Sequence, residues 1–122
     1  MPTVFVEFAG GGHVISAGAA DVLAERRRQI EVEGWTAEHD DKHAPGAMAA
    51  AAGAYCESAA RPGLFRTVPG GARTVPKLWP KWALKWFKPT TPRQDLVKAC
   101  ALCLAEIERI DRADAVAREG GR

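Results

Sequence analysis

Five residues between positions 35 and 43 hold much of the chemistry this chain could perform. "GWTAEHDDKHAPG" offers Trp35, His39, Asp40, Asp41 and His43. Two imidazoles and two carboxylates so close together are metal-ligating types. A histidine–aspartate phosphohydrolase, however, needs further His and Asp ligands on separate helices, and His13 and Asp111 are poorly placed for that. An all-α nucleotide pyrophosphatase needs paired E-x-x-E and E-x-x-D helices to hold magnesium. Here Glu108 and Asp111 supply one half of that pattern. Cys56 has no evident base, so no nucleophile pair stands out. The segment reads instead as an ordering loop, in which Asp40 or Asp41 neutralises a buried cation, Trp35 plugs the end of the core, and the histidines bond within the turn.

The cation is Arg26. It lies three residues after Leu23 and four before Ile30, on the apolar stripe of a helix that also carries Ala19 and Val22. A charge on a core-facing stripe requires a partner. That partner is either a carboxylate of the chain or an anionic ligand.

A second constellation is cationic and aromatic. Residues 61–98 hold nine basic side chains and one acidic, whereas residues 16–60 hold four basic and eight acidic. "WPKWALKWFKP" sets Trp79, Trp82 and Trp86 among Lys77, Lys81, Lys85 and Lys88. Cations meet phosphates and indoles stack on bases, so the segment suits a nucleotide-type ligand; the competing reading is that the tryptophans are core. The two oppositely charged segments are expected to face each other across one site.

The elements that must position these groups are legible in outline. Residues 1–12 are β-prone and end in Gly10, Gly11 and Gly12, a flexible turn with no phosphate-loop ending. Together, residues 1–15 form a short arm. A first helix runs from about Ser16, its cap, to Glu33, with Gly34 ending it. A second spans about 46–60, with Met48, Ala51, Ala52 and Tyr55 inside and Gly53 permitting close approach. Residues 61–91 form an insertion, with a hairpin around Pro69, Gly70 and Gly71. Thr91 caps the last helix, Pro92 opens it and Gln94 completes a capping box; it continues to about 117. Its expected core stripe is Leu96, Cys100, Cys103, Ile107 and Ile110. Cys100 and Cys103 are therefore expected to be buried thiols rather than half of a zinc site. The prediction is a mainly α domain: a three-helix core, a small β-hairpin insertion between helices 2 and 3, and a short N-terminal β-prone arm.

With 122 residues, 47% hydrophobic and 26% charged, the chain has the size and composition of a single globular domain. A formal charge of +2 argues neither for nor against nucleic acid. No apolar run approaches the ~18 residues of a membrane span, and "MPTVFVEFAGGGH" lacks a signal peptide's basic start. Three cysteines without a secretory signal fit a reducing, cytoplasmic setting.

Three blocks, "ERRRQIEVEGWTAEHDDKH", "WPKWALKWFKP" and "RQDLVKACALCLAEIERIDRA", resemble a set of small bacteriophage and prophage proteins over roughly residues 20–115. That resemblance implies action inside a host cell and assigns no activity. Gly34, Trp35, Thr36, Asp40 and Asp41 are in addition similar to the G-W-T-x-D-D core of the ryanodine-receptor repeat domain, from which the long insertion 61–91 departs. It implies a small helical domain with a hairpin and an association with nucleotide-ligand sensing.

The expected function is non-enzymatic binding of a nucleotide-type ligand, in concrete form a sponge for a host nucleotide immune signal. No cofactor and no metal are expected, and a homo-oligomer is. Arg26, Lys81, Lys85, Lys88 and Arg93 would meet phosphates, and Trp82 or Trp86 would stack on a base. Asp40, Asp41 and His39 would shape the rim, with Trp35 and His43 beside them. The alternatives are a protein-binding inhibitor of a host factor, a metal-dependent nucleotide hydrolase and, least favoured, a nucleic-acid binder.

Overall fold

The computed structural model describes residues 3–8, 11–43, 45–61, 65, 75–80 and 86–120, with the backbone path alone for 3–8 and 11–13. The chain is mainly helical. An N-terminal hairpin pairs β1 (Thr3–Phe8) with β2 (Gly11–Ser16). Four helices follow: α1 (Ala17–Glu31), α2 (Ala37–Lys42), α3 (Ala47–Ala60) and α4 (Pro92–Gly120). None is long and apolar enough to cross a membrane among the described residues. The hairpin expected around Pro69, and the side chains of Lys81, Trp82 and Lys85, lie outside the described residues.

The arm is more ordered than its glycines imply. β1 and β2 pair antiparallel, from Thr3 opposite Ser16 to Phe8 opposite Gly11. Gly11 and Gly12 belong to the second strand, because the ladder satisfies their backbone groups despite low strand propensity. Ser16 then ends the strand and caps α1, its hydroxyl accepting from the Ala19 N–H at 3.1 Å. Past the end of α1, Gly34 takes a φ of 78°. That left-handed turn lets the Trp35 N–H return to the Gln29 carbonyl at 2.9 Å. Thr36 caps α2, accepting from the His39 N–H at 3.3 Å, so part of the expected loop is a short helix. Six residues are too few to show a helical period.

The core lies between α3 and α4. Met48, Ala51, Ala52 and Tyr55 are buried, as their spacing predicts. They meet Ala99, Leu102 and Ala105 of α4, together with Phe65, Trp79 and Phe87. Trp79 and Phe87 close one end as a three-ring cluster with Tyr55, at centroid separations of 4.9–5.4 Å. Gly53 makes room for the insertion rather than for a helix: a Cβ there would stand 2.9 Å from Leu78 Cδ1.

Two stripes read as core are not. In α4, Leu96, Ile107 and Ile110 are exposed, and so are Cys100 and Cys103. The face that packs is Asp95, Ala99, Leu102 and Glu106, with Val97, Ala101 and Ala105. In α1 the buried residues are Glu25, Arg26 and Gln29, while Leu23 and Ile30 are exposed. The reason is steric. Alanines let α3 and α4 approach closely, and the larger apolar side chains are left on the opposite side of α4.

Candidate functional site

The acidic segment and Arg26 form one hydrogen-bonded knot. Arg26 is buried, and its Nε donates to Glu108 Oε1 at 3.0 Å. Its Nη2 reaches Asp40 Oδ2 at 3.5 Å and Glu108 Oε1 at 2.9 Å, while Nη1 donates to the Trp35 carbonyl at 3.5 Å. Asp40 is 1% exposed, and its other oxygen accepts from His39 Nδ1 at 3.1 Å. His39 Nε2 in turn faces His43 Nε2 at 3.1 Å, so one ring donates and the other accepts. Burial, and then the neighbouring His39, hold His43 below the usual histidine range. Asp41 points the other way and pairs with Arg112 at 2.9 Å. Both ring nitrogens of His39 and both Asp40 oxygens are engaged within the knot. No group of three or more His, Cys, Asp or Glu placed to hold a metal occurs among the described residues.

Beside this knot lies a cleft of about 340 Å³ where α1, α3, the start of α4 and the segment before it converge. Its aromatic wall is Trp35, Tyr55 and Trp86, and Lys88 and Lys98 bring ammonium groups. Trp86 meets Trp35 edge-on at 6.2 Å, and Trp35 stacks on His39 at 6.3 Å. The end of the basic segment thus reaches the acidic segment through Trp35.

Hydrogen bonds explain why Trp86 and Lys88 are held there. The Tyr55 hydroxyl accepts from the Lys88 N–H at 2.9 Å and donates to the Trp86 carbonyl at 3.3 Å. Lys98 Nζ donates to the Lys88 carbonyl at 2.6 Å and sits 5.4 Å from the Tyr55 ring centre. Asp95, fully buried, accepts from Ser58 Oγ at 3.0 Å and from the Thr90 N–H at 2.8 Å, pinning the segment to both helices. Burial pulls the Lys98 ammonium below the usual lysine range.

The floor is polar. Arg28 makes a two-pronged pair with Glu25, both contacts at 2.8 Å, and reaches Glu33 at 2.9 Å. These carboxylates hold its guanidinium well above the usual arginine range. Gln29 is 1% exposed, and its amide nitrogen donates to Glu25 Oε2 at 3.3 Å. A carboxylate accepts only, so this contact fixes which way the amide faces. Its Oε1 has no hydrogen-bond partner among the described residues.

Of the residues singled out from sequence, Trp35, Trp86 and Lys88 line the cleft. Arg26, His39, Asp40 and His43 belong to the knot beneath Trp35. Asp41 is on the exposed side, and Arg93 forms an exposed pair with Asp21 at 2.8 Å. Sequence reasoning missed Arg28, Gln29, Tyr55 and Lys98. Gln29 carried a signal, since it lies three residues after Arg26, on the same side of α1. A scan against protein-family models finds no match, and neither a curated protein nor a solved structure proves similar to the chain.

Proposed function

We propose that the cleft binds a nucleotide-type ligand and that the protein acts by holding it rather than by converting it. The observation that carries this reading is Gln29, whose side chain lines a cleft walled by aromatic rings and whose buried Oε1 has no partner among the described residues. An unsatisfied buried acceptor costs about 1–3 kcal/mol, which a ligand N–H or O–H recovers. A nucleobase amine is such a donor, and its ring suits the indoles of Trp35 and Trp86. Lys88 and Lys98 supply charge for a phosphate at the rim. The volume is at the small end for ligand sites, roughly 300–1,000 Å³, and suits one base with its sugar and phosphate.

The three sequence blocks that look like phage and prophage proteins support the concrete form of the proposal, sequestration of a host nucleotide signal. Arg26 and Asp40 support the site from beneath in this reading, because both are taken up by the chain itself. Calorimetry with a panel of linear and cyclic nucleotides tests the proposal, and mass spectrometry of small molecules released by heat from purified protein identifies the ligand. Binding at tens of micromolar or tighter is expected, without turnover. No heat with any member of the panel would sink the reading.

A further inference from the structure

A 29-residue helix with one apolar stripe is common, but α4 has two. One is buried against α3. The other, on the opposite side, runs Leu96, Cys100, Cys103, Ile107 and Ile110 at spacings of four, three, four and three. That is the seam of two coiled-coil heptads. Leu96 is 47% exposed, Ile107 53% and Ile110 42%, and both thiols are exposed. Ile15, Ala19, Val22 and Leu23 of β2 and α1 flank the same seam across a groove of about 510 Å³. Burial pushes the Cys103 thiol above its ordinary value even in the single chain.

We infer that this groove is the interface with a second copy of the chain, the two α4 helices running antiparallel. Area supports the occupant. The exposed fractions of Leu23, Leu96, Ile107 and Ile110 come to roughly 370 Å², to which the exposed thiols add, already a large patch for an ordinary monomer. That is roughly half of the ~800 Å² per partner of a stable interface.

Charge sets the direction. The next seam position before Leu96 is Arg93 and the next after Ile110 is Asp114. Parallel helices would set each against its like, whereas antiparallel helices keep the like charges apart and leave the partner's Asp114 one seam layer beyond Arg93, which within its own chain pairs with Asp21. Alternating seam layers then pair Leu96 with the partner's Ile107, and Cys100 with the partner's Cys103. The same surface patch serves both copies, as a two-fold interface requires.

Sedimentation of the unmodified protein over 5–200 µM (roughly the range that spans a micromolar dimer) is the test. A species of twice the 13.1 kDa chain mass is expected. Ile107→Glu and Leu23→Glu should each convert it to a single chain, with an unchanged circular dichroism spectrum, because both positions are exposed in one chain. If one variant loses its helical signal, the other decides. A 13 kDa species at every concentration of the unmodified protein, or a dimer that survives both substitutions, overturns the inference.

Discussion

Replacing Arg26 by Met would strand the Asp40 carboxylate, whose side chain is wholly enclosed and, among the described residues, would retain His39 alone. Removing one member of a buried pair costs about 3–5 kcal/mol, chiefly because the other charge is left uncompensated. The second contact, to Glu108, adds little, since that carboxylate is half exposed. The 3.5 Å separation between Arg26 and Asp40 is long, so the lower end, about 3 kcal/mol, is expected. With a urea dependence of about 2 kcal/mol per molar, the midpoint of unfolding falls by about 1.5 M.

Asp40→Leu should cost less than this, because Arg26 keeps Glu108 at 2.9–3.0 Å. The double variant Arg26→Met, Asp40→Leu removes both charges and should cost at least about 2 kcal/mol less than the two single losses together. Urea unfolding followed by tryptophan fluorescence and circular dichroism reads all three. A loss below about 1 kcal/mol for Arg26→Met, or strict additivity in the double variant, would refute the structural role given to the pair.

Gln29→Leu separates stability from function. It removes an acceptor without a partner among the described residues together with the amide's bond to Glu25; the gain and the loss offset, so stability changes by less than about 1 kcal/mol, while nucleotide affinity falls about tenfold or more by calorimetry. Tyr55→Phe breaks both bonds that hold Trp86 and Lys88, and should lower stability by about 1–2 kcal/mol in thermal unfolding and weaken binding as well. His43 has a folded value below its unfolded one, so its contribution is present above the ordinary histidine range and is lost as pH falls through that range toward the folded value. The urea midpoint should therefore drop between pH 7.5 and 5, with a shallower slope in His43→Gln. Glu106 is held below the carboxylate range by Arg109 and by the Gly46 N–H. Its stabilisation is present above pH 4.5 and lost as pH falls through its folded value, so Glu106→Gln should weaken the protein at pH 7 and converge with the parent in acid.

Local signals were legible. Ser16 and Thr91 cap helices where hydroxyls precede helical runs, and Pro92 opens α4. Arg26 showed its need for a partner because a charge on a helix's inner side is costly wherever the chain goes. The direction of α4 was not legible. Periodicity reports that a helix has an apolar stripe, and α4 has two; alanines build the buried one, which looks the weaker of the pair in sequence. The cleft was half legible for a different reason. Trp35, Trp86 and Lys88 stood out by type, but Tyr55, Lys98 and Gln29 come from three separate helices, and only packing brings them together.

We propose that this cleft, not the histidine–aspartate knot, takes the ligand. Amide and indole NMR shifts recorded as nucleotides are added to labelled protein address it directly. Movements are expected at the Gln29 side-chain amide, the Trp35 and Trp86 indoles and the Lys98 backbone. Shifts confined to Asp41, Arg112 and their neighbours, or none at all with nucleotide in large excess, would contradict it.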